Sequence, residues 1–308
     1  MYTMDEIRSA LAPDFTVDSE LSSASLGQRL LARDAGDHPK VITVLHAELA
    51  RQIAPEAFML SLRQSAQVRH PALLPIERAD RAGQSLVYFV TSFPDGPSVR
   101  SRVDSRGPMS ADDVATVGQQ IALALGALHV AGLVHGAVHP EAIFLTESGA
   151  VLGDAGVMRA LVAAGADTVV LHQHFSRVPY TSPEQVAGEL ADARSDVYAL
   201  GTTLYEMHTG KPPFGGRTTS MTLVSVLSDE ESELVASGIQ IPGRVTSAIL
   251  RAIEKPREDR WATVEEFAHA LQRNTNPVQA AVKRHTGCLP WAGATLALLI
   301  ALFAALRP

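Results

Sequence analysis

The sequence contains one cysteine, Cys288, among 308 residues. A single thiol excludes an intramolecular disulfide and a metal site built from several cysteines, and it indicates a reducing compartment. Lys and Arg form no cluster, and the net charge is −7. Because phosphate contacts need grouped Lys and Arg side chains, a nucleic-acid partner is not expected. The sequence also lacks internal repeats at solenoid spacing.

The two ends of the chain differ in their apolar content. The N-terminus, MYTMDEIRSA, lacks the apolar core of a secretory signal peptide. Residues 288–306, CLPWAGATLALLIALFAAL, carry no charge and have about the length of a membrane-spanning helix. Lys283 and Arg284 precede this run, so residues 1–287 are expected on the cytoplasmic side of the cell membrane. We predict a single-pass anchor here, and a buried C-terminal core helix is the alternative interpretation.

Short β-like runs precede a mostly helical region. Lys40–Leu45 and Leu86–Thr91 favour strands, whereas Pro55–Val68 has helical spacing. Ser110 is placed as the N-cap of a helix through Val114–His129. We therefore predict an α+β fold in which a β-rich small lobe precedes a helical large lobe. The predicted division is an N-terminal lead at 1–14, the small lobe at 15–93, the large lobe at 94–273, a linker at 274–287 and a transmembrane helix at 288–306.

Eight short segments with recognisable motifs follow one another along the chain. They are RHPALLPI at 69–76, GLVH at 132–135, PEAIFL at 140–145, GDAG at 153–156, PYTSPEQ at 179–185, RSDVYALG at 194–201, KPPF at 211–214 and PREDR at 256–260. In order and spacing they resemble the bacterial relatives of eukaryotic Ser/Thr protein kinases, over about residues 20–272. One such segment alone is weak, but eight in order are specific. The resemblance implies the two-lobed protein-kinase fold.

The family needs five groups of residues for phosphoryl transfer: a Gly-rich loop, a strand lysine held by a helix glutamate, a proton-accepting aspartate, and an asparagine and an aspartate that hold magnesium. Of the Gly-rich loop only Gly27 remains, as a weak nucleotide-binding candidate, and Arg29 stands where a valine covers the adenine. The lysine position is Thr43 and the glutamate position is Ser61, so both halves of the ion pair are absent. Lys40 lies three residues from Thr43 and therefore points to the opposite face of the sheet.

The expected catalytic loop reads HGAVHPEA at 135–142. The resemblance places the proton acceptor at Ala137, the phosphate-facing lysine at His139 and the metal-binding asparagine at Ala142. Losing a general base alone typically costs roughly 10²–10⁴ in rate. Glu141 is a nearby replacement base, but in the family pattern it faces the structural side. His139 is expected to be a partly exposed loop histidine.

Asp154 is the catalytic-type residue that the alignment retains. It is a candidate ligand for one metal ion, and the alternative is that it caps its own turn through Asx-type hydrogen bonds. Two candidate partner surfaces are the helix around Ser61 and the segment Val157–Pro179. The simpler interpretation of that segment is a mobile loop.

Four residues match positions that hold the large lobe together in the family: His135, Glu184, Asp196 and Arg260. There the glutamate pairs with the arginine, and the aspartate binds the backbone of the catalytic loop. Because these positions are kept while nearly every chemical position is changed, we predict a membrane-held pseudokinase. Its expected role is in signalling, by binding or scaffolding protein partners, with no required cofactor and with weak ATP and magnesium binding at most.

Two other interpretations remain open. One is a weakly active or unorthodox ATP-dependent Ser/Thr kinase that uses Asp154 and a metal ion. The other is an unrelated helical membrane-associated protein.

Overall fold

The computed structural model describes residues 2–12, 14–24, 26–83, 85–167, 171, 178–228 and 243–272. The strands are β1 Thr16–Ala24, β2 Gly27–Arg33, β3 Pro39–Leu45, β4 Ile76–Ala82, β5 Leu86–Ser92, β6 Ile143–Thr146 and β7 Gly149–Leu152. The helices are α1 Met4–Leu11, α2 Ala47–Gln52, α3 Pro55–Ser65, α4 Val99–Arg106, α5 Ala111–Val130, α6 Val157–Ala163, α7 Pro183–Val186, α8 Ala193–Thr209, α9 Thr219–Leu227, α10 Arg244–Ala252 and α11 Val264–Leu271. These elements form a β-rich lobe followed by a helical lobe, as predicted.

The small lobe is built on an antiparallel sheet with strand order β1-β2-β3-β5-β4. Strand β5 is buried along nearly its whole length because both faces of the sheet are covered. Tyr88 and Val90 belong to a core shared with α1, whereas Val87 and Phe89 belong to a core shared with α3 and α6. Successive side chains on a strand point to opposite faces, so one strand contributes to both cores.

Helix α1 lies in the segment for which the sequence analysis expected only an N-terminal lead. Its capping box explains where it begins: the backbone N–H of Glu6 donates to Oγ1 of Thr3 at 3.3 Å, and the N–H of Thr3 donates to Oε2 of Glu6 at 2.7 Å. Ile7 and Leu11 are buried against the sheet. The lead is therefore part of the small-lobe core.

The large lobe is organised around α5 and α8. Ser110 caps α5 as predicted, since its Oγ accepts a hydrogen bond from the backbone N–H of Asp113 at 3.2 Å. Helix α8 is buried from Ser195 to Met207, so it forms the centre of this lobe. A helix covered on all sides needs mostly apolar residues, and Val197, Leu200, Leu204 and Met207 are among those that supply them here.

The predicted linker at 274–287 and the predicted transmembrane helix at 288–306 lie outside the described residues, as does part of the candidate partner segment Val157–Pro179. In the part of the chain that is described, no helix combines the length and the apolar character needed to cross a bilayer.

Removing the side chain of Ile7 tests whether α1 belongs to the folded small lobe. Ile7 is fully buried, so we expect Ile7→Ala to lower the free energy of unfolding by about 2–5 kcal/mol. Chemical denaturation monitored by circular dichroism measures this change. Ser9→Ala, on the exposed side of the same helix, is the matched control and should change stability by less than about 0.5 kcal/mol. Equal values for the two variants would show that α1 does not stabilise the lobe.

Candidate functional site

The backbone of the loop at 135–142 is hydrogen-bonded to Asp196, in the first turn of α8. The carboxylate of Asp196 accepts hydrogen bonds from the backbone N–H groups of His135 at 2.9 Å and Gly136 at 2.7 Å. The Nε2 atom of His129 on α5 lies 2.8 Å from Oδ2 of the same carboxylate. Asp196 is fully buried, and a buried carboxylate requires such partners. The contact expected from the resemblance is therefore present.

The ring of His135 joins this loop to the turn that carries Asp154. Its Nδ1 accepts from the backbone N–H of Ala137 at 3.3 Å, so Nε2 carries the proton and donates to the carbonyl oxygen of Gly153 at 2.9 Å. The N–H of Gly153 in turn donates to the carbonyl of Ala142 at 2.7 Å. The two positions that hold metal in the family, 142 and 154, are thus brought together by the backbone.

His139 is buried, so the expectation of a partly exposed loop histidine is wrong. Only 1% of its surface is exposed, and its Nδ1 lies 2.8 Å from Oε2 of Glu141. The side chain turns back onto the loop and toward the ring of Tyr180, whose centroid is 6.5 Å away. Local sequence gave no sign of this burial because Tyr180 comes from a distant segment.

Glu141 is bound on both sides and is unsuited to be a replacement base. Besides His139, it accepts a hydrogen bond from Nε of Arg100 on α4 at 3.0 Å. Burial alone would raise the pKa of Glu141, but the hydrogen bond and charge of His139, together with Arg100, lower it to about 2. A general base works best when its pKa lies near the operating pH.

Arg100 also enters a polar network that the sequence analysis did not predict. Its Nη1 lies 2.5 Å from Oε1 of Glu206 on α8, and its Nη2 donates to the hydroxyl oxygen of Tyr180 at 2.5 Å. The Tyr180 hydroxyl donates to the other oxygen of Glu206. Burial, followed by the negative charge of Glu206, raises the pKa of Tyr180 well above its ordinary range. No sequence pattern signals this network, because its members are 26 to 106 residues apart.

The carboxylate of Asp154 forms an ion pair with Arg29 of β2. Neither the metal-ligand interpretation nor the turn-cap interpretation predicted this partner. Arg29 lies directly opposite Thr43 in the register of β2 and β3, on the face of the sheet that looks toward the large lobe. Part of this contact could have been predicted from the sequence, because alternation along β2 places residue 29 on the same face as residues 27 and 31.

The remaining small-lobe candidates have structural explanations. A Cβ atom at Gly27 would lie 1.9 Å from the carbonyl oxygen of Val44, so the close approach of β3 requires glycine there. Thr43 and Ser61 are both buried. Oγ of Ser61 has no hydrogen-bond partner within the described part of the chain. The face of α3 that carries Ser61 is therefore inside the lobe, whereas Leu60 on the same helix is exposed.

Helix α6 replaces the first part of the segment that was interpreted as a mobile loop. It packs against α3, and the approach is close: a Cβ atom at Gly156 would lie 2.1 Å from Oγ of Ser65. Met158 of α6 lies beside the loop, 3.5 Å from where a side chain at Gly136 would begin. Ala137 packs against the hydrophobic cluster that α3 and α6 share. The expected proton-acceptor position is therefore partly buried and lies against apolar groups.

The two metal-holding positions of the family do not supply the ligands that magnesium needs. Magnesium needs oxygen ligands in near-octahedral geometry, but position 142 carries a buried methyl group and Asp154 is already paired with Arg29. Among the described residues, no group of three or more His, Cys, Asp or Glu side chains could hold a metal ion.

Glu184 and Arg260 form a buried ion pair in the large lobe. Arg260 Nη1 donates to Oε1 of Glu184 at 2.8 Å, and Nη2 donates to Oε2 at 2.9 Å. Ser195 Oγ adds a third hydrogen bond to the carboxylate at 2.6 Å. Bidentate arginine–carboxylate geometry of this kind is the strongest form of the interaction.

Comparison with protein families matches residues 37–271 to the protein kinase domain family. The chain belongs to this family. The serine/threonine-protein kinase PknB of Mycobacterium tuberculosis is 31% identical over 283 residues, covering 88% of this chain and 45% of PknB. PknB of Mycobacterium leprae is 32% identical over 279 residues, covering 85% of this chain and 43% of that protein. The chain thus spans less than half the length of these curated relatives.

A solved structure shows the same fold. The crystal structure of the Mycobacterium tuberculosis PknI kinase domain matches with a TM-score of 0.65 at 23% sequence identity, covering 84% of this chain and 94% of that chain. The predicted two-lobed kinase fold and the resemblance to Ser/Thr protein kinases are both confirmed.

The acid stability of the kinase domain should depend on Glu184. Burial would raise its pKa, but the hydrogen bond and charge of Arg260, with Ser195, lower it from 4.5 to about 2. A folded-state pKa below the unfolded value stabilises the fold above about pH 4.5, and this stabilisation is lost as pH falls toward 2. A difference of this size corresponds to roughly 3 kcal/mol.

We expect the free energy of unfolding of the wild type to fall over this range by up to roughly 3 kcal/mol more than that of Glu184→Gln. Denaturant titrations at a series of pH values measure both curves. Glu258→Gln, which removes an exposed carboxylate, serves as the control and should follow the wild-type curve. Parallel curves for the wild type and Glu184→Gln would contradict the assignment.

Proposed function

We propose that this protein is a pseudokinase, a non-catalytic member of the protein kinase family that acts in signalling by binding or scaffolding protein partners. The packing of Ala137 carries the proposal. The position that should accept the substrate proton holds a methyl group and lies against the apolar cluster of α3 and α6. Two further observations support it, namely the buried Ala142 at the second metal position and the engagement of Asp154 by Arg29.

The second candidate is an ATP-dependent Ser/Thr protein kinase that works through Asp154 and a metal ion. It is favoured by the relatives, which are named serine/threonine-protein kinases. The turn with Asp154 also lies beside the loop, through the hydrogen bond from Gly153 to Ala142. Against it stands the ion pair of the carboxylate with Arg29, with which a metal ion would have to compete.

The full chain should transfer no phosphoryl group from ATP. With radiolabelled ATP, Mg²⁺ or Mn²⁺ and a general acceptor protein, we expect incorporation at the level of the Asp154→Asn variant, because the base position holds Ala137 and the pKa of the nearby Glu141 is lowered to about 2. A PknB kinase domain assayed in parallel is the positive control. Activity in the wild type that Asp154→Asn abolishes would establish the second candidate instead.

We also propose that residues 288–306 hold the protein at the cell membrane, with the kinase domain in the cytoplasm. The proposal rests on the uncharged run and on the basic residues Lys283 and Arg284 before it. A helix of about 20 apolar residues spans the hydrocarbon core of a bilayer, and basic flanks favour the cytoplasmic side.

Cell fractionation tests this location. We expect the full chain in the membrane fraction, resistant to extraction at high salt or alkaline pH, and a chain that ends at Gly287 in the soluble fraction. A second variant with Leu299→Arg and Ile300→Arg keeps the length but places two charges in the run, so it should also leave the membrane. Membrane association of both variants would contradict an anchor at 288–306.

A further inference from the structure

One ion pair connects the β2 strand of the small lobe with the turn that begins the 154–163 segment of the large lobe. A nitrogen of the Arg29 guanidinium bonds to a carboxylate oxygen of Asp154, 125 residues away in sequence. The side chain of Arg29 is 14% exposed and that of Asp154 is 8% exposed. Both charges are therefore largely removed from water, where an unpaired charge is strongly unfavourable.

The position of Arg29 explains how it reaches Asp154. Arg29 is paired with Thr43 across β2 and β3, and directly opposite residues of antiparallel strands have Cβ atoms about 4.5–5.5 Å apart on the same face. Thr43 occupies the lysine position of the family. This face of the sheet therefore still carries a positive charge, but on β2 instead of on β3.

Apolar side chains also connect the turn before β2 with α6 near this ion pair. Leu26, in the turn between β1 and β2, is buried in the cluster that contains Val157 and Met158 of α6. The tip of the small-lobe hairpin and the start of α6 therefore belong to one core. The ion pair lies between elements that are also joined by this core.

We propose that Arg29 is a positioning residue that ties the two lobes together by taking the place of the nucleotide phosphates and the metal. In the family, those ligands bridge the sheet and the aspartate of the 154 position. Here a guanidinium extends from the sheet and meets the aspartate directly. The proposal builds on the proposed pseudokinase function, because lobes tied internally present a constant surface to a protein partner without a ligand.

Hydrogen exchange of the full chain in detergent micelles or nanodiscs tests the bridge. Arg29→Met and Asp154→Asn each remove one charge, and asparagine tolerates the left-handed φ of 59° at position 154. We expect each variant to raise amide exchange by about tenfold in both bridged segments, 16–33 and 154–163, because either change releases both ends of the pair. Arg29→Lys keeps the charge and should retain most of the protection.

The matched control is Arg33→Met on the same strand. Arg33 pairs with Asp18 and Asp37 within the small lobe and is 44% exposed, so its loss should leave residues 154–163 unchanged. An effect of Arg29→Met or Asp154→Asn confined to its own segment would overturn the proposal, because a purely local role predicts that result.

A double variant separates loss of the ion pair from the effect of an unpaired charge. The double variant Arg29→Met/Asp154→Asn leaves no unpaired charge, so it should fold, as judged by circular dichroism, and still lack the cross-lobe protection. Wild-type protection in this variant would overturn the bridge.

Saturating ATP with Mg²⁺ should leave exchange of the wild type unchanged, and added protection would show that ligand, not Arg29, joins the lobes. Phosphoryl transfer is a separate assay, so failure of the proposed function is distinguishable from failure of the bridge.

Discussion

The buried carboxylate of Asp196 is the contact on which the arrangement of the site depends. It accepts two backbone N–H groups of the 135–142 loop and also contacts His129, and it is fully removed from water. A carboxylate buried in such a place needs hydrogen-bond donors around it. The donors are backbone groups, so the path of the loop is determined while the side chains of Ala137 and Ala142 are not. The loop keeps its place in the fold with alanine at positions 137 and 142.

The same electrostatic rule describes two other charge pairs that are largely removed from water. Glu184 and Arg260 are both buried and are bound to each other in bidentate fashion. Thr43 and Ser61 are neutral, so neither leaves a buried charge without its partner. Where a charge remains in the cleft, on Asp154, it is paired with Arg29. At each of these positions a buried charge is present together with its partner, which avoids the cost of an unpaired charge.

Much of the fold could be predicted from local pattern. Strands β3 and β5 lie within a residue of the predicted ranges, and α5 begins at the Ser110 cap, because alternation and capping are local properties. Helix α3 ends three residues before the predicted position. Helix α1 was missed although Thr3 and Glu6 form a capping box, since its apolar residues have a partner only in the folded sheet. The apolar helix α6 was taken for a loop for the same reason.

The sequence alone determined the family, the order of the lobes and the residue types at each chemical position, because these depend on short motifs and on their spacing. Only the tertiary structure decided what surrounds those positions. Burial of His139, the binding of Glu141 by Arg100, and the pairing of Arg29 with Asp154 join residues as much as 125 positions apart. The partner of a polar side chain is selected by the cost of leaving it unpaired in the folded protein. That cost exists only once the chain has folded and water has been removed from the cleft.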